Sequence, residues 1–172
     1  NTDHTLNFPD FRAHERSFQM LCQVAGRAGR SDRKGRVLMQ TYQPEHPTLK
    51  HIKEHDFTGL FEAQKKERIK YHYPPYYKMI RVILKCRQYE TINYAGDWFV
   101  NVLKQFYSGS VLGPVFPSVA RVRNQYHKEI LLKIDHDNTA SYLKKILLKT
   151  LKSFHAIASF RGVRVNFDVD PF

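Results

Sequence analysis

The chain has 172 residues, of which 42% are hydrophobic and 13% aromatic, enough to build a core and to exclude a disordered polyelectrolyte. It carries 28 Lys+Arg against 16 Asp+Glu, a formal net charge of +12, which favours a polyanionic partner: nucleic acid first, an acidic membrane surface second. No apolar run is long enough for a transmembrane helix, and no signal-peptide pattern opens the chain.

In chain order, residues 1–10 are a polar lead-in ending Phe8-Pro9-Asp10. Asp10 is placed to cap a helix over 11–22, with Phe11, Phe18, Leu21 and Cys22 on one face. The glycine-arginine repeat that follows is expected to end this helix, 31–35 to turn, and 36–42 to form a strand. Pro44 and Pro47 mark a boundary, after which 48–55 and 57–71 read as helices, the second with Phe57, Leu60, Phe61 and Gln64 on one face.

The periodicity then changes. Residues 78–86 are a β-branched strand, 92–106 an amphipathic helix, and 111–115 a strand broken by Gly113-Pro114. Residues 118–123 and 129–135 read as the arms of a hairpin with Tyr126 at its turn. Asn138 is placed to cap a helix burying Leu143, Ile146, Leu147, Leu151 and Phe154, and 163–169 forms a last strand with Val163, Val165, Phe167 and Val169 inward. This β-α-β-β-α-β order predicts an α+β module over 76–172, which is also the more basic part of the chain. Cys22 and Cys86 lie far apart in apolar-periodic segments, as buried free thiols of a cytoplasmic protein would.

The stretch Gln23-Val24-Ala25-Gly26-Arg27-Ala28-Gly29-Arg30 sets two permanently charged guanidinium groups three residues apart, each directly after a glycine. It resembles motif VI, the last signature motif of superfamily 2 helicases. Three further blocks point the same way. Asp3-His4-Thr5-Leu6-Asn7-Phe8-Pro9-Asp10-Phe11-Arg12-Ala13-His14-Glu15-Arg16 is similar to the stretch before motif VI in the PriA family of bacterial replication-restart helicases. Val37-Leu38-Met39-Gln40-Thr41-Tyr42-Gln43-Pro44-Glu45-His46 resembles the segment after it, and Leu112-Gly113-Pro114-Val115 with Asp168-Val169-Asp170-Pro171 resembles the family's C-terminal domain.

The resemblance implies a piece of an ATP-driven helicase that unwinds 3′→5′ and reloads the replicative machinery at stalled forks by primosome assembly. Residues 1–45 are then the end of an α/β RecA-like lobe, 46–75 a helical connector, and 76–172 a basic DNA-binding domain resembling a small ribosomal-subunit protein in fold. Arg30 is the expected arginine finger on the transferred phosphoryl group, with Arg27 and Gln23 positioning it or touching phosphate. The family's ATP, Mg²⁺ and zinc are expected to be held elsewhere: this sequence contains no G-x-x-x-x-G-K-[ST] loop, no D-E-x-H motif and no paired-cysteine region. The chain is therefore expected to bind DNA without hydrolysing ATP and to hold no cofactor of its own. The implied partners are forked or single-stranded DNA, single-stranded-DNA-binding protein and other primosome proteins, with no membrane.

For DNA contact, alternation places Arg121 and Arg123 on one strand face, with Tyr126 as an aromatic platform and Lys128 beside it. A solvated hairpin edge is the plainer reading of the same residues. Where the family tends to Arg-Tyr-Arg-Trp, this chain has Gln125-Tyr126-His127-Lys128. Lys144 and Lys145, with Lys149 and Lys152, are either the solvated face of a helix, a second phosphate contact, or a dock for an acidic protein tail. A free-standing nucleic-acid-binding module and an acidic-tail-binding module remain the alternative functions. His51-Ile52-Lys53-Glu54-His55 spells an inverted zinc-protease motif, but a polar helix explains it. The tyrosines around Pro74-Pro75 are read as sealing a junction, and Asp168 and Asp170 as pairing with nearby cations.

Overall fold

Residues 2–28, 36–134 and 140–171 are described in the computed structural model, and the chain divides after Tyr71 into two units. The first is helical. Its lead-in holds a short helix, α1 (Asp3–Leu6), that buries Leu6. The Asp3 carboxylate accepts hydrogen bonds from the Thr41 hydroxyl and from the Tyr42 N–H at 3.0 Å, and Thr2 N–H donates to the Gln40 carbonyl at 3.0 Å. These bonds hold the carboxyl of Asp3 below the ordinary carboxylate range.

They also account for a departure from expectation. Residues 36–42 form no regular element and join no ladder, and Leu38 is 91% exposed. The strand expected there does not form because, among the described residues, no neighbouring strand offers hydrogen bonds, and α1 takes part of the backbone instead. The α/β RecA-like lobe is accordingly not visible in this chain.

Helix α2 (Ala13–Ala28) starts two residues later than expected and ends later too. Asp10 turns the chain before it, its carboxylate accepting from Arg12 N–H at 2.9 Å and its carbonyl from Ala13 N–H at 2.9 Å. The helix then continues through Gly26 and Arg27 rather than stopping at them. One glycine costs a helix only about 1 kcal/mol, and Ala25, Arg27 and Ala28 around it are good helix formers.

Helix α3 (Pro47–Glu54) is opened by Pro47 and capped by the His46 imidazole, which accepts from Thr48 N–H at 3.2 Å. Helix α4 (Phe57–Lys70) is capped by Asp56, which accepts from Gly59 N–H at 2.8 Å. Leu49, Ile52 and Leu60 from these helices share a core with Leu6 and Phe18, so the segment read as a connector packs with α1 and α2. On α4, Leu60 and Gln64 are buried as expected, but Phe57 and Phe61 are mostly exposed.

The second unit is the expected α+β module. Strand β1 (Lys78–Cys86) is followed by α5 (Tyr89–Phe106), β2 (Ser110–Val115), β3 (Arg121–Val122), β4 (Gln125–Ile134), α6 (Ala140–Ala156) and β5 (Arg164–Val169). The sheet is antiparallel, in the order β2-β4-β1-β5, with the short β3 also on β4. This is a split β-α-β arrangement: β1 and β2 flank β4, and β5 returns beside β1. Alternation explains the core, since Ile80, Val82, Leu84 and Cys86 of β1 and Ile130, Leu132 and Ile134 of β4 all face Phe99, Leu103, Leu143 and Phe154 of the two helices. Val169, expected inward, is 65% exposed at the end of the edge strand β5. Both thiols are free; Cys86 is buried, and burial raises the pKa of Cys22. The candidate cap Asn138 lies outside the described residues.

Gly113 bends β2 across β4, with φ at +102° and a register shift between Leu112 and Val115. A Cβ there would meet the Glu129 carbonyl oxygen at 2.7 Å. Gly113→Ala is therefore expected to destabilise the module by about 1–3 kcal/mol, through the positive φ and the clash together. Thermal melts should show a lowered midpoint for this variant and none for Gly162→Ala, whose Cβ meets nothing within 4 Å.

Candidate nucleic-acid interface

The antiparallel register decides which charges meet. The C-terminal end of β1, the β3–β4 hairpin and the N-terminal end of β5 all lie at one end of the sheet, because Cys86 pairs with Tyr126, Arg121 with Tyr126, and Lys85 with Arg164. Lys85, Arg87, Arg121, Arg123, Arg161 and Arg164 gather there. In the segments that form this end, residues 85–91, 121–127 and 158–164, Glu90 is the single carboxylate.

The hairpin tip is a two-residue turn in which Arg123 (φ 48°) and Asn124 (φ 61°) both adopt the left-handed conformation. That geometry matches the twist of the paired strands, and asparagine tolerates it well. Two placements from the sequence are corrected by it. Arg123 is in the turn rather than on a strand face beside Arg121, and Tyr126 is on β4 rather than at the turn. Counting alternation from residue 118 missed this because the turn uses two residues where a longer connection was expected.

Arg121 is exposed but held in place: its guanidinium donates to the Asn124 side-chain oxygen and lies 5.1 Å over the Tyr126 ring. One face of Tyr126 is thus already occupied. The exposed aromatic is Tyr89, which stacks on Phe116 with centroids 5.6 Å apart and meets Tyr126 edge-on at 5.4 Å. Neither Tyr89 nor Phe116 was found from sequence; an aromatic at the first turn of α5, next to Arg87, was the available signal.

Lys128 is buried. Alternation along β4 points it toward α5, where its ammonium sits 5.2 Å over Phe116 and 3.9 Å from an Asp97 oxygen. Gly96 leaves room for its stem. His127 faces the other side of the sheet in a cross-strand row with Lys85 and Arg164. Desolvation first, and then the Lys85 charge, push its pKa below the ordinary histidine value, so the imidazole is neutral near pH 7.

Lys144, Lys145, Lys149 and Lys152 are all exposed on α6. Lys144 and Lys145 open that helix, which follows the far end of β4, so the structure does not join them to the hairpin. One strand length, about 30 Å for ten residues, separates the two ends of the sheet. Lys145 and Lys149 border a groove between α5 and α6 of about 650 Å³, lined also by Val102, Phe106, Ile146 and Leu148.

In the first unit, continuation of α2 places Gln23 and Arg27 one turn apart and exposed, on the same side as Arg16, Gln19 and Met20. Arg30 lies outside the described residues. His51 pairs with Asp56 at 2.9 Å, while His55 sits past the end of α3 at φ 53°, so the two do not converge as ligands. Among the described residues no cluster of His, Cys, Asp or Glu is arranged to hold a metal ion. Asp168 pairs with Arg81 at 2.8 Å as expected, whereas Asp170, expected to pair with a cation, accepts from the Met79 backbone N–H at 3.2 Å. Near the prolines, Tyr73 covers the Lys133 ammonium at 4.0 Å and Tyr77 stacks on His72 at 4.3 Å. No helix among the described residues is long and apolar enough to cross a membrane.

The second unit thus defines a class: a small split β-α-β module whose helices cover one face and whose cations are massed at one end of the sheet. Residues 70–172 match the family described as the primosomal protein N C-terminal domain, and the chain belongs to that family, the PriA replication restart proteins. It is 30% identical over its full length to the replication restart protein PriA of Bacillus subtilis. It is 35% identical over 98% of its length to that of Synechocystis, and 33% identical over 98% to that of Treponema pallidum. These matches cover 21%, 20% and 25% of the relatives' own lengths. The resemblance read from the four sequence blocks is borne out.

Proposed function

We propose that this chain grips forked DNA within an ATP-dependent 3′→5′ helicase of the cytoplasm that restarts stalled replication by primosome assembly. The observation that carries the reading is the basic end of the sheet, which gathers Arg87, Arg121, Arg123 and Arg164 and also carries the Tyr89–Phe116 stack. Cations on a hairpin suit phosphate contacts and structure-directed binding, and among the described residues no element is shaped as a base-reading helix. The family resemblance assigns ATP, Mg²⁺ and zinc to parts of the longer relatives that these residues do not match.

A titration of the chain with forked DNA at several salt concentrations tests this. Expected is binding whose log affinity falls with log salt at a slope of about −0.9 per phosphate contacted. Absence of any affinity for forked or single-stranded DNA at low salt overturns it. The motif VI reading carries its own expectation. In a complete two-lobed helicase containing this chain, Arg30→Ala should lower ATP turnover by about 10³-fold or more while sparing DNA binding. Normal turnover would refute the finger.

A second reading rests on the α5–α6 groove. Its apolar floor and its lysines, Lys145 and Lys149, suit an acidic peptide with a hydrophobic end, such as the tail of single-stranded-DNA-binding protein.

A further inference from the structure

Behind the hairpin, at the same end of the sheet, lies a pocket of about 340 Å³. Arg87 comes to it from the end of β1, Arg164 from the start of β5, Gln125 from the start of β4, and Ser159 from the 3₁₀ turn Ala158–Phe160 before β5. No carboxylate lines it, and Glu90, the acid nearest in sequence, is not among its walls. Among the described residues, Arg87 and Arg164 make no ion pair, and Gln125 and Ser159 make no side-chain hydrogen bond. The Thr91 hydroxyl, also in the wall, gives its proton to the Gln88 side chain at 2.8 Å.

Two arginines, a glutamine and a serine lining one concavity without an acid offer the donors that complement a tetrahedral dianion or diester. Guanidinium forks match phosphate oxygens two at a time, and amide and hydroxyl donors complete the oxygen's remaining lone pairs. The size is at the lower end for small-molecule sites, enough for a phosphate together with the sugar it esterifies. From sequence, Gln125 was noted only as part of the hairpin and Arg87, Ser159 and Arg164 were not singled out, because the four come from separate segments.

We propose that this pocket is a phosphate-ester site, seating one sugar-phosphate unit and so setting the register of a nucleic-acid strand on the basic end of the module. Its neighbours suit that task, since Arg121 and the Tyr89–Phe116 stack lie around the same hairpin. The inference builds on the DNA-binding reading for the bearer of the phosphate, while the chemistry of the pocket stands separately.

The test is amide-resolved NMR of the whole chain, titrated with inorganic phosphate, with a thymidine dinucleotide, and with its uncharged methylphosphonate analogue. Expected are shifts at Gln125, Ser159 and Gly162 with phosphate and with the dinucleotide, and none with the neutral analogue. Arg87→Gln and Arg164→Gln should each weaken the response about tenfold, with the remaining amides unmoved, which shows that the variants fold. A stronger response to the dinucleotide names a strand phosphate as the ligand; a stronger response to inorganic phosphate names a free phosphate. Equal shifts from the neutral analogue, no shifts at millimolar phosphate, or shifts unchanged in both variants overturn the proposal. Fork binding measured in parallel keeps the two readings apart: a chain that fails on forks but responds to phosphate loses the DNA role and retains the site.

Discussion

Arg121→Glu combined with Arg123→Glu is expected to weaken binding to forked DNA by about 100-fold at low salt. Each arginine that contacts a phosphate contributes about 1.5 kcal/mol as a charge-assisted hydrogen bond, and two together correspond to roughly that factor. The salt slope should become shallower by about 1.8, one increment for each phosphate lost. Lys144→Glu with Lys145→Glu makes the same change in formal charge at the other end of β4, and so separates a local site from a general field. A site at the hairpin predicts that the lysine pair loses much less affinity. Equal losses from the two pairs would reduce the hairpin to one part of a diffuse positive surface. The turn should survive the change, because its left-handed geometry at Arg123 and Asn124 is set by the two-residue connection and not by the guanidinium.

Phe154→Ala is expected to cost the second unit about 3–5 kcal/mol, a large share of the about 5–15 kcal/mol that stabilises an ordinary domain. Its ring is fully buried and lies at the centre of an aromatic cluster: stacked on Phe160 at 5.0 Å, edge-on to Phe99 at 5.5 Å, and tilted against Trp98 at 5.7 Å. No neighbour can collapse into the void, because helix α6, helix α5 and the 3₁₀ turn each hold one wall. Trp98 is the chain's single tryptophan, so its fluorescence reports this cluster directly during urea unfolding. Leu148→Ala, half exposed on the same helix, should shift the midpoint very little. A midpoint for Phe154→Ala close to the parent's would mean that the helices repack, contrary to the geometry.

The two halves of the chain differ in how far they could be read. In the second unit, β1 was placed at its observed ends and both helices were recognised, because alternation and the 3.6-residue period are strong there. Lys78–Cys86 needs nothing but its own β-branched pattern to declare itself. The first unit was harder. Residues 36–42 have strand composition yet no strand, since a strand exists only where a neighbour supplies the ladder. The glycines of motif VI suggested a helix end, yet Gly26 sits inside α2, carried by the alanines and arginine around it.

From its residues alone, this protein's class, its family and its basic character were determined. Gln23–Arg30 and the blocks around it are local strings whose chemistry is written in order, and net charge is a sum that needs no fold. Which cations act together was decided by tertiary structure. Arg87, Gln125 and Arg164 are tens of residues apart, and only antiparallel pairing of β1 with β4 and β5 brings them to one pocket. The same pairing buried Lys128, which sequence had placed on the open surface: a side chain's face is fixed by register, and register is a property of two strands.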